Sequence, residues 1–495
     1  MNKGVFLEDL VGRKAEIAIL ESTLQSRKAE LIAVYGRRRI GKTFLISNYY
    51  RTKGVYFEMT GIKNGLMKKQ IKLFVASLKR SFPKLCVEDT PKDWYETFLL
   101  LEKALQTIKK KSKIILFFDE FPWMDTHKSD LVKAFEYIWN AILSKDDRVI
   151  AIICGSSVSW MIRKIFHNKG GLHGRLTAKI RLKPFCLHEA EQYFVSKRVK
   201  VDRKQLAEIF MTTGGVPKYL SYVKPGFSAS RNIQEMCFSP GGPLTTEFDE
   251  LYESLFDHCQ LHVQIIEALS EKRYGLTFSA VAEAVSAQLG GNISKALKDL
   301  IASNFIQYIP FFGNKRKDGR YRVIDEYSMF YLNWIKQAIY NYDESLSGAY
   351  WPRQYMSTKY KAWAGYVFEG LCLTHIRQII NALKLSVVAE RAAYWNFVSK
   401  NPSEQTGAQI DLIIDRADHC INLCEIKFCS KEFKMTKAYA DRLNERRETF
   451  RDQTKTRKTL INTLITPYGA ATNQHYLASI DEQLTLDDLF LSASD

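Results

Sequence analysis

Leu31-Ile32-Ala33-Val34-Tyr35 leads directly into Gly36-Arg37-Arg38-Arg39-Ile40-Gly41-Lys42-Thr43, and that loop into Phe44-Leu45-Ile46-Ser47-Asn48-Tyr49-Tyr50. The first run has the length and apolarity of a buried strand, and the last has a helical pattern. The loop between them matches G-x-x-x-x-G-K-[ST] in the strand, loop and helix setting that this phosphate-binding sequence requires. Its glycines let backbone N–H groups wrap phosphate oxygens, Lys42 neutralises β and γ oxygens, and the Thr43 hydroxyl ligates Mg²⁺. Gly36, Arg37, Arg38, Arg39, Ile40, Gly41, Lys42 and Thr43 are therefore the candidate nucleotide-binding residues.

Downstream, Ile114-Ile115-Leu116-Phe117-Phe118 ends in Asp119-Glu120. A buried strand that ends in two acids places one carboxylate near the metal and the next beside the terminal phosphate, where it can polarise a water. Asp119 is assigned to Mg²⁺ through water and Glu120 to the general base. A third strand-like run, Val149 to Cys154, ends in Gly155-Ser156-Ser157, which leaves two readings for Ser156: a sensor of the γ-phosphate or an ordinary turn residue.

From Leu31 to Leu182, the β-rich runs LIAVY, VYFEM, IILFF, VIAIIC and AKIRL alternate with longer helical patterns, which predicts a parallel sheet covered by helices on both faces. Residues 188–225 read as helices around the turn Gly214-Gly215-Val216-Pro217, and FSPGGP (Phe238 to Pro243) as a linker. Helical patterns at His262–Glu271 and Thr277–Val285, and a third capped by Asn292, precede FIQYIPFF and RYRVI, which flank the basic turn GNKRKDG. Three helices and a hairpin describe a winged helix-turn-helix. A second linker is expected at Tyr342–Gln354, with an α/β region after it. The organisation is thus an ATP-site domain with a helical lid over 1–237, a winged helix over 244–345 and a third domain over 355–495.

The chain has 495 residues and a formal net charge of +18. Residues 1–240 carry about +20, residues 241–350 about −4 and the remainder about +2, so the basic excess belongs to the first half. The third helical pattern leaves Ser294, Lys295, Lys298 and Asp299 outside its apolar face, and only Lys315, Arg316, Lys317 and Arg320 near the hairpin tip are strongly positive. That is a thin basic complement for reading DNA. No apolar run reaches the ~20 residues of a membrane span. MNKGVFLEDLVGRK has acids where a signal peptide needs an apolar core, and nine cysteines lack framework spacing. A cytoplasmic protein with reduced thiols is expected.

Val11-Gly12-Arg13 with Glu16, then YGRRRIGKT, FFDEF, CGSS, Gly174-Arg175-Leu176-Thr177 and GGVPKYL together resemble the archaeal-type ATPases, relatives of the AAA+ and STAND P-loop ATPases. The resemblance covers residues 1 to about 235. It implies ATP as the nucleotide, Arg13 and its neighbours near the adenine, and Pro217 on a lid above the nucleotide. It also implies that Arg175 acts on the γ-phosphate, in cis or from a neighbouring subunit of a homo-oligomer.

Near the carboxyl end, Gly407-Ala408-Gln409-Ile410-Asp411-Leu412-Ile413-Ile414-Asp415 precedes Ile421-Asn422-Leu423-Cys424-Glu425-Ile426-Lys427-Phe428. Strand alternation puts Glu425 and Lys427 on one face, and a hairpin centred on Asp418 sets Asp411 opposite Glu425. Facing carboxylates usually hold a cation between them, and oxygen ligands suit Mg²⁺ or Mn²⁺. Asp411 and Glu425 are the candidate metal ligands, with Lys427 orienting water or stabilising a phosphorane-like transition state. The competing reading is a surface ladder in which Lys427 pairs with Asp411 or Asp415. His419, Cys420, Cys424 and Cys429 lack knuckle spacing, so no zinc site is expected.

Asp411 with Glu425-x-Lys427 resembles the PD-(D/E)XK nuclease signature, and Glu369 in GYVFEGL matches the acid that this fold's first helix often supplies. Gln409-Ile410 precedes Asp411 where the name-giving proline-aspartate would stand. The resemblance covers 355–495 and implies metal-dependent cleavage of DNA. The expected protein is a P-loop ATPase coupled to a winged helix and a restriction-endonuclease-like domain. The rival is an ATP-controlled regulator whose last domain binds nucleic acid or protein without cutting.

Overall fold

The computed structural model describes the chain except for residues 1–9, 109–111, 168–171, 173, 257, 273, 286–290, 314–318, 341–349, 398–406 and 493–495. It forms two compact units, one of residues 1–184 with 253–257 and one of residues 185–252 with 258–495.

In the first unit, β1 (Glu30–Tyr35), β2 (Val55–Thr60), β3 (Ile114–Asp119), β4 (Val149–Gly155) and β5 (Ala178–Arg181) form one parallel sheet in the order β2-β3-β4-β1-β5. Every residue of β3 and β4 is buried, which is why these strands read as continuous apolar runs and not as alternating ones. Successive side chains enter opposite cores. Leu31, Ala33, Leu116 and Phe118 face an aromatic-rich core with Phe57, Phe74, Trp94 and Phe98, while Ile32, Val34, Ile115 and Phe117 pack with Tyr49 and Tyr50. Because β4 lies between β1 and β3, the loops leaving all three strands open at one edge of the sheet.

The second unit begins with the helices Leu187–Ser196, Arg203–Thr213, Pro217–Leu220 and Ala229–Cys237. Gly214 and Gly215 both have φ of 65°, and a Cβ on Gly215 would fall 2.2 Å from the Phe185 carbonyl oxygen, so only glycine fits there. These helices are tied to the end of the chain. His375 Nε2 accepts from the Leu187 amide at 3.0 Å, and Arg203 binds Glu191 at 2.8 Å and Asp487 at 3.1 Å.

Helices Gln260–Ser270, Phe278–Ala284 and Gly291–Ala302 follow, then the antiparallel pair β6 (Ile306–Pro310) and β7 (Gly319–Val323). Asn292, the expected cap, is the second helical residue, and the basic tip Lys315–Lys317 lies outside the described residues. The hairpin does not stand clear of the unit. Phe311 bridges Tyr394 in parallel, the Phe312 amide donates to the Tyr394 carbonyl at 2.9 Å, and the Phe312 ring lies 5.2 Å from that of Phe450.

Phe238 and Trp351, which belong to the two stretches expected to be linkers, are both buried and stack with ring centroids 5.6 Å apart. Phe330, Trp334 and Trp363 complete this aromatic cluster. Residues 342–349 of the second stretch lie outside the described residues.

The last sheet runs β12-β11-β10-β9-β8, from β8 (Ala389–Phe397), β9 (Ala408–Arg416), β10 (Cys420–Ile426), β11 (Thr459–Ile465) and β12 (Glu482–Leu484). β8, β9 and β10 are antiparallel and β10, β11 and β12 parallel. The helix Thr358–Thr374 precedes this sheet, and the helix Lys437–Thr454 joins β10 to β11. Among the described residues, no helix is long and apolar enough to cross a membrane.

Candidate functional site

The phosphate loop joins β1 to the helix Lys42–Tyr50. Gly36 has φ of 150°, and a Cβ there would meet the Leu182 carbonyl oxygen at 2.3 Å. Gly41, with φ of 90°, precedes the helix. Both positions need glycine for backbone reasons, and they turn the loop so that a helix N-terminus faces its concave side. Lys42 is buried and donates to the Arg37 carbonyl at 2.9 Å, across the mouth of the loop. Arg37 is buried, the Arg38 guanidinium lies 5.9 Å from the Trp123 ring, and Arg39 has a left-handed φ of 71°. Arg13 donates to the Ile40 carbonyl at 3.3 Å and stands 3.9 Å from Glu16, which ties the chain before β1 to the phosphate loop.

The two acids after β3 are handled differently. Asp119 is buried, and its Oδ2 accepts from the Thr43 hydroxyl at 2.8 Å. Burial raises its carboxyl above the usual range, partly offset by the Thr43 hydrogen bond. With its proton directed at Asp119, Thr43 Oγ1 keeps lone pairs for a metal, and a hydroxyl beside a carboxylate is the hard oxygen set that Mg²⁺ takes. The residues fit that ion. Glu120 takes φ of 45°, a left-handed turn that carries its carboxylate to the end of β4. There its Oε2 accepts from the Ser156 amide at 3.0 Å and the Ser156 hydroxyl at 2.7 Å. Ser156 is fully buried and touches the expected base. Arg175 is exposed, in a turn three residues before β5. Pro217 opens a short helix of the second unit.

In the second unit, β9 and β10 pair from Ile421 opposite Asp415 to Cys424 opposite Leu412, the step before the expected pair of Glu425 and Asp411. Asp411 Oδ2 accepts from the Ile426 amide at 3.2 Å. Asp415 is bound by Lys458 at 2.6 Å, and Lys427 Nζ lies 5.5 Å from the centroid of the Tyr439 ring. Glu425 Oε2 accepts from Arg446 at 2.7 Å, and Oε1 accepts from the Tyr439 hydroxyl, whose proton burial and Glu425 hold in place. Glu369, 2% exposed on the helix Thr358–Thr374, stands 3.8 Å from Arg322 of β7.

Among the described residues, no group of three or more His, Cys, Asp or Glu side chains is arranged to hold a metal ion. As the side chains stand, the expected acids do not fit a divalent ion, because guanidinium groups sit on two of them. Tyr439, Arg446 and Arg322 were missed from sequence. Tyr439 and Arg446, seven residues apart, share one helix face, and that spacing just after the Glu425-x-Lys427 strand was the available signal.

Residues 10–223 match the family described as an ATPase domain predominantly from Archaea. The chain is 26% identical over 441 residues to the uncharacterized protein MJECL04 of Methanocaldococcus jannaschii, over 87% of this chain and 90% of the relative. It is 47% identical over 45 residues to the uncharacterized ATP-binding protein MJ0423 of the same organism, over 9% of this chain and 76% of the relative. Among solved structures, it is similar to the Walker-type ATPase PABY2304 of Pyrococcus abyssi, with TM-score 0.49 and 18% identity over 67% of this chain and 98% of that one. It is also similar to the ORC2 protein of Aeropyrum pernix, with TM-score 0.41 and 14% identity over 69% and 98%. Residues 10–223 are an archaeal-type P-loop ATPase domain.

Proposed function

We propose that the chain hydrolyses ATP with Mg²⁺ in the first unit and uses the nucleotide cycle to act on DNA through a nuclease-like second unit. The contact of Thr43 with Asp119, beside the Glu120–Ser156 pair, carries the first half. Lys42 and the loop amides of residues 36–43 bind the phosphates, and Thr43 with Asp119 holds Mg²⁺, which when bound neutralises charge on the β and γ oxygens. Ser156 fixes Glu120 so that its free oxygen can take a proton from an attacking water. Arg175, exposed in its turn, suits the γ-phosphate of a neighbouring subunit in a homo-oligomer. ATP turnover by the parent, Lys42→Ala and Glu120→Gln proteins, with and without duplex DNA, tests this half. A flat rate with and without DNA counts against coupling.

For the second unit, the proposal is a winged helix at 244–345 and a PD-(D/E)XK-like domain at 355–495. Asp411, Glu425, Lys427 and Glu369 would form its catalytic centre. Support comes from the β9–β10 register and from the helix that carries Glu369. Because these acids do not fit a metal as they stand, no step is routed through one. If Glu425→Ala leaves Mg²⁺-dependent cleavage unchanged, the nuclease reading fails. The arginines at Glu369 and Glu425 favour a second reading, an ATP-controlled regulator that binds without cutting. Metal-free DNA binding with no cleavage under any nucleotide supports it. Nine free thiols suit a cytoplasmic setting.

A further inference from the structure

Arg322 reaches the acids from outside residues 355–495. It lies on β7, is 6% exposed, and holds its Nη1 3.8 Å from Glu369 Oε2. Its Nη2 donates to the Tyr366 carbonyl at 2.9 Å, and the guanidinium covers the Tyr366 ring at 4.5 Å. Arg320, two residues earlier on the same face of β7, lies beside the rings of Phe311 and Tyr394, at 5.4 Å and 5.9 Å.

Arg320, Arg322, Glu369, Tyr394, Gln409 and Asp411 line one narrow cavity of about 10 Å³. That is at the lower bound for a single water. Mg²⁺ dehydrates reluctantly and keeps several waters, so a hydrated ion cannot enter. The nearby guanidinium charge opposes a bare one.

The closure is not fully satisfied. Nε of Arg320 and Nε of Arg322 are buried and have no hydrogen-bond partner among the described residues. Each such group costs stability in the closed form, which narrows its margin over an open one.

We propose that Arg322 is the resident counter-cation of the Glu369–Asp411 pocket, and that the β6–β7 hairpin is a latch that keeps a divalent metal ion out until it lifts. This rests on the nuclease-like reading of residues 355–495. In the closed form, Glu369 is neutralised by a guanidinium in the place where a metal would sit. Lifting β7 would remove that charge and enlarge the cavity together.

The test is Mn²⁺ binding by the nucleotide-free full chain, followed by electron paramagnetic resonance, and counts only the binding that Asp411→Asn removes. Arg322→Gln is expected to tighten this component at least about tenfold, and Arg322→Lys, which keeps the charge, far less. Amide exchange of Gly319–Val323 in the parent supplies a measurement that needs no variant. It is expected to speed up when Mn²⁺ is added. Equal Asp411-dependent affinity in the parent and Arg322→Gln proteins, or unchanged exchange while Mn²⁺ binds, overturns the latch and leaves the metal site standing. Absence of Asp411-dependent binding in all of these proteins overturns the latch and the metal-dependent nuclease reading together.

Discussion

Both units bring carboxylates to a sheet, but they neutralise them with different chemistry. In the first, Asp119 and Glu120 rest against the hydroxyls of Thr43 and Ser156. A hydroxyl fixes the orientation of a carboxylate and leaves its charge intact, so an incoming cation still has something to bind. In the second, Glu425 and Glu369 rest against Arg446 and Arg322. A guanidinium cancels the charge, and a buried pair of this kind contributes little net stability yet is costly to break. The same residue types thus give a site poised for metal in one unit and a neutralised one in the other.

This contrast can be broken at several points. Glu120→Gln should lower ATP turnover by about 10²- to 10⁴-fold and leave nucleotide affinity intact, as expected for a lost general base. Single-turnover kinetics with an equilibrium binding measurement checks both. Glu369→Ala leaves Arg322 without its buried counter-charge and should cost about 3–5 kcal/mol in urea unfolding of the second unit. A cost near zero would mean that the pair is as indifferent as a surface one.

The units should also differ in their response to acid. His375 is fully buried, and burial pushes its imidazole down to about 4. The unfolded chain therefore takes up a proton near pH 6.5 that the folded chain refuses until about pH 4. The second unit should lose about 3 kcal/mol as pH falls through that window. His375→Gln should flatten the slope, read as melting temperature against pH.

Ser156→Ala should slow turnover by about tenfold, the scale of one hydrogen bond to a charged group, without weakening ATP binding. The smallest expected effect on stability is at Asp119. Burial raises its carboxyl, so its ionisation costs stability as pH rises above the ordinary carboxylate range. Asp119→Asn should therefore stabilise the first unit by about 1 kcal/mol at neutral pH in a thermal melt and abolish Mg²⁺-dependent turnover.

The first unit was legible because its strands are buried on both faces. Ile114–Phe118 and Val149–Cys154 have no polar position to blur them, and the phosphate loop directly follows another buried strand, β1. The antiparallel pairing of β9 with β10 was also readable, because a short loop around Asp418 fixes which residues pair across the two strands. Arg322 was not. It lies 47 residues before Glu369 in a hairpin that reads as a solvent-facing wing, and nothing in its local pattern says that Phe311 and Phe312 dock on β8. The burial of Phe238 and Trp351 was hidden for a related reason: both are anchored by partners far away in sequence, which turn chemistry does not report.

The bridge from Phe311 to Tyr394 has one more consequence. β8 is the outer strand of its sheet, and an uncovered outer strand offers unpaired amides and carbonyls to any other extended chain. By lying along it, the end of the hairpin serves as an edge guard. If the latch lifts, the same movement that frees the acids uncovers that edge, so the closed form is also the form least prone to self-association.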